Sequence, residues 1–126
     1  MQSFQDLKVW NESHQLALLL YKITLKFPKE EQFGLISQIR RAVISISTNI
    51  AEGCGRGSNP DFNRFLQIAL GSASEIESLL ILSKDLGYLS KKDFPSLVDQ
   101  VIEIKKMLAS LSIKVRNSSK KPITNN

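Results

Sequence analysis

The sequence predicts an all-α fold, an antiparallel up-down-up-down four-helix bundle that assembles as a homo-oligomer. Four stretches repeat apolar residues every three or four positions, as helices with one buried face do. Pro28, the glycine-rich run that ends at Pro60, and Gly87 fall between these stretches. The first stretch is apolar on two faces, which exceeds what a contact inside one bundle requires. Together these observations predict one domain over residues 1–116, followed by a basic, disordered tail over residues 117–126.

The first helix is predicted over about residues 6–26. We expect one of its stripes to face the bundle, which makes His14 a packed core residue. That stripe comprises Leu7, Trp10, His14, Ala17, Tyr21 and Thr24 or Leu25, and the second comprises Val9, Leu16, Leu20, Ile23 and Phe27. Since no helix of a four-helix bundle is central, the second stripe predicts contact with another subunit.

The second helix is predicted over about residues 35–53, after Pro28 ends the first. Its inner stripe comprises Leu35, Ile39, Ala42, Ile46 and Ile50. The run from Ile44 to Ile50 also alternates apolar and polar residues as a strand would. The helical interpretation is preferred because the helical period continues upstream and the chain offers no strand partner.

A glycine-rich segment separates this helix from a third, predicted over about residues 61–86. Ser58 or Asn59 suits the N-cap and Pro60 the first turn. The glycine spacing fits neither a Walker loop nor a dinucleotide-binding turn. The inner stripe comprises Phe62, Phe65, Leu66, Ala69, Ala73, Ile76, Leu80 and Ser83. Gly71 is expected to let another helix backbone approach closely.

The fourth helix is predicted over about residues 91–115, after a C-terminal cap at Gly87. Its heptad seam comprises Leu97, Val101, Ile104, Leu108, Leu111 and Val115. From Lys105 onward the chain has six basic residues and no acidic one, whereas residues 1–104 have 11 basic and 12 acidic residues. The net charge of +5 is therefore concentrated in the last helix and the tail. Such a cluster fits either a nucleic-acid contact or a solvated, solubilising tail.

The residues offer little for catalysis. Glu75 and Glu77 differ by two positions on a helix and point apart, and His14 has no second histidine to share a metal. The sole cysteine, Cys54, lacks a partnered histidine and forms no intramolecular disulfide. We therefore expect no enzymatic activity, cofactor, metal or small-molecule substrate. A cytoplasmic location without membrane contact is expected, since the longest apolar run spans five residues, Leu16 to Leu20.

Several motifs along the chain form one specific pattern. They are Phe4-x-x-Leu7-x-Val9-Trp10, Ser37-Gln38-Ile39-Arg40-Arg41-Ala42, Ser45-Ile46, Asn49-Ile50-Ala51-Glu52-Gly53-x-Gly55-Arg56, Phe62-x-Arg64-Phe65-Leu66, Ala69-x-Gly71-Ser72, Glu75-x-Glu77 and Leu86-Gly87-Tyr88-Leu89. This pattern closely resembles the "four helix bundle protein" family, also called 23S rRNA-intervening sequence proteins. The resemblance implies a small bacterial protein that assembles as a ring-shaped pentamer and whose molecular role is largely undefined. Related accessory proteins of diversity-generating retroelements look basic and nucleic-acid-binding.

The functional hypothesis is a non-enzymatic oligomeric bundle that binds RNA, DNA or a ribonucleoprotein partner through basic surfaces. The candidate binding residues are Arg40, Arg41, Arg56, Arg64, Lys105, Lys106, Lys114 and Arg116. A structural role for the arginines remains open, in which Arg41 or Arg56 pairs with Glu52, Glu75 or Glu77 between helices. The alternative function is a protein–protein interaction scaffold with no nucleic-acid role.

Overall fold

Four α-helices make up the described part of the chain, and no strand occurs in it. The structure, a computed structural model, describes the backbone of residues 3–120 and the side chains of residues 3–118. The helices are α1 (Lys8–Thr24), α2 (Leu35–Cys54), α3 (Asn59–Asp85) and α4 (Phe94–Lys120), with 3₁₀ turns at Phe4–Asp6 and Lys29–Glu31. The all-helical prediction is confirmed, and the β-rich run from Ile44 to Ile50 lies inside α2.

The four helices enclose one apolar core. α1 contacts α2 and α4, and α3 contacts the same two helices. The stripes predicted for the second, third and fourth helices supply most of the core, including Ile39, Ile46, Leu66, Ile76 and Ile104. Phe62 and Leu111 are partly buried at its edge. This arrangement is consistent with a four-helix bundle.

The predicted orientation of the first helix is wrong. Val9, Leu16 and Leu20 face the core, and His14 is exposed. The imidazole of His14 stacks on Trp10 with ring centroids 4.9 Å apart and planes 10° apart. Both faces of α1 are apolar, so periodicity could not decide between them. The inner face of α1 consists mainly of aliphatic side chains, whereas the aromatic and polar groups of the other face remain in contact with water.

Small residues let α2 and α3 pack closely, but Gly71 is not one of those at the contact. A Cβ atom on Gly53 would lie 2.7 Å from Phe65 Cβ and 3.0 Å from Phe62 Cδ1. A Cβ atom on Gly71 would meet nothing within 4 Å, since Gly71 is exposed. Within the described chain no other helix approaches Gly71 closely, so that prediction is wrong. The close approach of α2 and α3 occurs at Gly53 instead.

The helix ends follow the capping signals only in part. Ser58 Oγ accepts a hydrogen bond from the Asp61 amide, as expected of an N-cap. Gly87 has φ +82° and closes α3 with hydrogen bonds from Gly87 N to Lys84 O and from Tyr88 N to Ser83 O, a Schellman motif.

Helix α1 is shorter than predicted, and α4 begins later and ends later. Residues 117–120 continue α4, which corrects the expectation that the disordered tail begins at residue 117. The rest of that tail, residues 121–126, lies outside the described residues.

One described helix, α3, is long and apolar enough to cross a membrane by length and composition alone. This is weak evidence, because core helices of soluble proteins also pass that test. About a third of the apolar window of α3 is buried inside the chain. Its exposed apolar side chains include Ile68, Ile81 and Leu82.

Candidate nucleic-acid interface and polar cleft

Two arginines at the α2–α3 turn lie against one phenylalanine ring. The guanidinium carbons of Arg64 and Arg56 are 4.6 and 5.0 Å from the ring centroid of Phe65. Phe65 is buried, so the position of its ring is fixed. The cation–π contacts with this ring restrain both guanidinium groups. Arg56 Nη2 lies 3.0 Å from Glu52 Oε2, and Arg64 Nε lies 3.9 Å from Asp61 Oδ1. These are exposed pairs of the weakly stabilising kind, so both guanidinium groups remain accessible to an anion.

The C-terminal part of α4 lies beside these arginines. Gln67 Nε2 donates to Ser112 Oγ at 2.8 Å, and the Ser112 hydroxyl hydrogen-bonds to Asn63 Oδ1. These bonds join α4 to the first three turns of α3. Arg116 is exposed and follows Ser112 by about one helical turn, which brings it toward the N-terminal end of α3.

The start of α1 reaches the same end of the molecule. Lys8 and Lys114 line one shallow groove of about 250 Å³, together with Leu7, Val9, Met107, Ser110 and Leu111. We call the surface formed by Lys8, Arg56, Arg64, Lys114 and Arg116 the basic end. Four of the eight candidate binding residues belong to it, and these four come from two regions that are about 50 residues apart in sequence.

Arg40 does not join the basic end, because it ties α2 to the last turns of α1. Its Nε donates to Thr24 Oγ1 at 3.0 Å, and its Nη2 donates to the Tyr21 carbonyl at 3.1 Å. Its guanidinium also lies 4.5 Å from the centroid of the Tyr21 ring. A cation at the C-terminal end of a helix is favourable for the helix dipole. These contacts commit Arg40 to holding two helices together.

The two lysines near the middle of α4 have carboxylate partners. Lys105 Nζ lies 2.9 Å from Glu77 Oε1 on α3, with both side chains about one-third exposed. Lys106 Nζ lies 3.6 Å from Glu103 on its own helix, and both groups are largely exposed. The interhelical ion pairs that were expected for Arg41 or Arg56 do not form within residues 3–118. Lys105 makes the interhelical pair instead.

Arg41 lines a cleft of about 450 Å³ between α2 and α3, which we call the polar cleft. Its lining residues are Gln38, Arg41, Ala42, Ser45, Ser72 and Glu75. Each of them falls within the motifs that carry the family resemblance. Gln38, Arg41, Ser45, Asn49 and Glu52 recur at three- or four-residue steps and form a polar stripe along α2. The first three of these residues face a groove between two helices.

The polar cleft exists because the side chains at this level of the α2–α3 contact are short. Ala42 forms part of its floor and is almost fully buried. Ser72 Oγ hydrogen-bonds to Ser45 Oγ at 2.8 Å, and Asn49 Nδ2 donates to the same Ser45 oxygen at 2.9 Å. In this network Ser45 Oγ accepts two hydrogen bonds, which orients the inner wall of the cleft.

The charged groups at the rim of the polar cleft have no partner within the described chain. Arg41 and Glu75 are exposed and make no ion pair with each other or with any other residue in 3–118. The Gln38 side chain likewise makes no hydrogen bond there. One donor group, one acceptor group and one amide thus border the same cleft.

Two other groups have perturbed acidity. Burial, followed by the charge of Asp6, raises the pKa of the Cys54 thiol, which favours the unreactive thiol form.

Burial also raises the pKa of Tyr88. The Tyr88 hydroxyl donates to Glu31 Oε2 at 3.2 Å, and this hydrogen bond raises the pKa further. Glu31 Oε1 in turn accepts from the amide of Leu35 at 3.2 Å. This link joins the end of α3 to the start of α2.

Within residues 3–118 no group of three or more His, Cys, Asp or Glu side chains is arranged to hold a metal ion. The sequence reasoning missed the polar cleft and the Tyr88–Glu31 link. The cleft depends on Ser72 and Glu75, which approach α2 only in the folded chain. The sequence does contain a signal for the polar cleft, namely the polar stripe of α2 together with the small residues of α3.

Comparison with known proteins identifies the family. The model of the family described as 23S rRNA-intervening sequence protein matches residues 5–110. A crystal structure of a protein of unknown function from the S23 ribosomal protein family of Bacteroides thetaiotaomicron is similar to this chain. The two are 30% identical with a TM-score of 0.76, over 82% of this chain and 94% of that one. No curated protein matches the chain. The chain belongs to the family of 23S rRNA-intervening sequence proteins.

Proposed function

We propose that this protein is a non-enzymatic homo-oligomer that binds nucleic acid or a ribonucleoprotein through its basic end. In this proposal the four helices run in antiparallel up-down-up-down order, the subunits form a ring, and the protein acts in the cytoplasm. The helix order is supported by contacts between the end of α1 and the start of α2, and between the start of α3 and the end of α4.

The observation that carries the proposal is that the cations of the basic end, which come from α1, the α2–α3 turn, α3 and α4, lie toward the same end of the bundle. Clustered arginine and lysine side chains bind the nucleic-acid backbone because they release the counterions condensed on it. Arg56 and Arg64 are held by a buried ring, so they lose less side-chain freedom on binding than unrestrained arginines. In a ring of subunits the basic ends repeat, and the repeated weak contacts add through avidity.

An apolar stripe on the outer face of α1 supports the oligomer. Leu18 is 55% exposed and Leu25 is 76% exposed, with Tyr21 between them on the same face. Phe33, 91% exposed, lines a groove together with Tyr21 and Ile44 and extends this apolar surface to α2. A second copy of the chain is the partner we propose for it, because contiguous exposed apolar surface marks an interface.

The oligomer is tested by the mass in solution, measured by light scattering after size-exclusion chromatography. We expect a multimer for the natural protein and a smaller species for the double variant Leu18→Glu, Leu25→Glu. The control is Ile113→Glu, which places the same charge on a 48% exposed residue of α4. A monomeric natural protein would refute the oligomer.

Nucleic-acid binding is tested by filter retention of single-stranded RNA and DNA across a salt series. Replacing Arg56, Arg64, Lys114 and Arg116 with glutamine should flatten the dependence of log K on log salt by about 0.7 per lost contact with a single strand. The control variant replaces Lys22, Lys26, Lys91 and Lys92, which are exposed and lie toward the other end of the molecule. It changes the net charge equally and should retain most of the slope.

The scaffold alternative predicts that the protein retains neither RNA nor DNA. If neither is retained even at low salt, nucleic-acid binding is refuted. If the control variant loses as much binding as the basic-end variant, the basic end is not the binding surface. In the scaffold alternative the exposed apolar faces of α1 and α3 bind another protein, and that binding is insensitive to salt.

A further inference from the structure

We infer that the polar cleft binds a guanine base, with Arg41 donating to its O6 and N7 atoms and Glu75 accepting from its N1–H and N2 amino groups. The inference starts from the unpaired groups at the rim. Arg41 and Glu75 border one cleft but form no ion pair within residues 3–118, so each presents unused hydrogen-bonding capacity. A ligand that binds both side chains must present hydrogen-bond acceptors to Arg41 and, next to them, hydrogen-bond donors to Glu75.

Guanine has such a pair of edges. Its O6 and N7 atoms are adjacent acceptors that a planar guanidinium contacts with two parallel hydrogen bonds. Its N1–H and N2 amino groups are adjacent donors, and an ionised carboxylate such as Glu75 only accepts. The guanine base itself is neutral, which matches a cleft whose rim has one positive and one negative charge.

The other bases fit the same groups poorly. Adenine presents an amino donor where Arg41 needs an acceptor and a ring-nitrogen acceptor where Glu75 needs a donor. Adenine keeps N7 as an acceptor for Arg41, but its amino group repels the guanidinium and its N1 lone pair repels the Glu75 carboxylate, which disfavours adenine. Hypoxanthine keeps O6, N7 and N1–H but lacks the N2 amino group, so it should bind with intermediate affinity.

The dimensions of the cleft admit a base. Its volume of about 450 Å³ falls in the range of about 300–1,000 Å³ that is typical of small-molecule sites. Ala42 adds only a methyl group to the floor. Ser45 Oγ already accepts from Ser72 at 2.8 Å and from Asn49 at 2.9 Å, so its lone pairs do not compete with Glu75 for the donor edge of the base.

The guanine can come from a free nucleotide or from an unpaired residue of a single strand. Single-stranded nucleic acid exposes the base edges that this cleft would contact. The second source rests on the proposed function of the basic end, and the first does not. The experiment therefore has one arm for each source.

The first arm titrates the full-length protein with GMP, IMP and AMP by isothermal calorimetry. We expect saturable GMP binding, AMP binding about tenfold weaker or more, and IMP binding between the two. Glu75→Gln and Arg41→Gln should each weaken GMP binding about tenfold and reduce the preference over AMP. Glu12→Gln and Lys22→Gln are the matched controls, since both residues are exposed on α1 away from the cleft. These controls should bind GMP as the natural protein does.

Three results of this arm would overturn the inference: no saturable GMP binding at millimolar concentration, equal affinity for GMP and AMP, or unchanged binding by both cleft variants. Circular dichroism of each variant checks that it is folded. Since Arg41 and Glu75 are exposed and unpaired within the described residues, neither substitution is expected to unfold the chain.

The second arm compares retention of single strands with and without guanine at low salt. A guanine preference that disappears in Glu75→Gln supports the inference within a strand. If adenine-only strands are retained as well as guanine-containing ones and GMP does not bind, the cleft inference is wrong while the basic end still binds nucleic acid. If GMP binds in the cleft and no strand is retained, the proposed function is wrong while the cleft inference stands.

Discussion

The side chain of Arg40 hydrogen-bonds to the backbone carbonyl of Tyr21 at 3.1 Å and covers the ring of the same residue at 4.5 Å. One residue of α2 thereby holds both the backbone and the side chain of the last turns of α1. The neighbouring Arg41 has no partner in the described chain and borders the polar cleft. Two consecutive arginines therefore have different roles, one structural and one open to a ligand.

Substituting Arg40 should destabilise the protein, and substituting Arg41 should not. We expect Arg40→Gln to lower the free energy of unfolding by about 1–2 kcal/mol, because two hydrogen bonds from a charged donor are lost. Arg41→Gln should change it by less than about 0.5 kcal/mol. Urea unfolding at one fixed protein concentration measures both values, since association shifts apparent stability. Equal losses for the two variants would contradict this division of roles.

Two glycine substitutions should have opposite effects. Gly53→Ala places a methyl group 2.7 Å from Phe65 Cβ and should destabilise the protein by about 1–3 kcal/mol through overpacking. Gly71→Ala meets open space and should stabilise α3 by about 0.5–1 kcal/mol, because alanine favours the helix more than glycine does. Thermal unfolding of both variants tests this. Destabilisation by Gly71→Ala would indicate that a neighbouring subunit packs against this position.

The Tyr88–Glu31 link should weaken at alkaline pH. The pKa of Tyr88 is raised by burial first and by Glu31 second, so the folded state favours the protonated phenol. Its contribution to stability is therefore complete below the unfolded pKa of about 10 and is lost as pH rises through the higher folded pKa. The stability advantage of the natural protein over Tyr88→Phe should be constant from pH 7 to 9 and shrink above 10. An advantage that stays constant up to pH 11 would show that Tyr88 has no raised pKa.

The Cys54 thiol should react slowly in the folded protein. Burial and the charge of Asp6 raise its pKa, so at pH 8 a smaller fraction is thiolate than in the unfolded chain. The rate of reaction with a disulfide reagent at pH 8 should increase strongly in denaturant and slightly in Asp6→Asn. The order of these effects follows from burial being the larger cause. A faster reaction in the folded protein than in denaturant would contradict the assignment.

Much of the fold could be predicted from particular residues. Ile39, Ile46 and Ile50 lie on one helical face of α2, and polar residues lie between them in the sequence. The pattern therefore indicates which face of α2 is buried. The caps at Ser58 and Gly87 were also predictable, because they depend on local backbone chemistry. The orientation of α1 was not predictable, since the stripes that begin at Leu7 and at Val9 are both largely apolar. The part of the candidate site on α2 was evident as a polar stripe, but its partners on α3 were not.

The sequence by itself determined the four helices, the inner faces of three of them, the family and the concentration of basic residues toward the C-terminus. Periodicity and capping are local properties, and a linear chain displays them. Only the tertiary structure decided which face of α1 is buried, that Gly53 and not Gly71 is the close contact, and that Arg56 and Arg64 pack on the ring of Phe65. It also separated Arg40 from Arg41. These outcomes depend on side chains distant in sequence that compete for the same space, and packing settles that competition only when all four helices are in place.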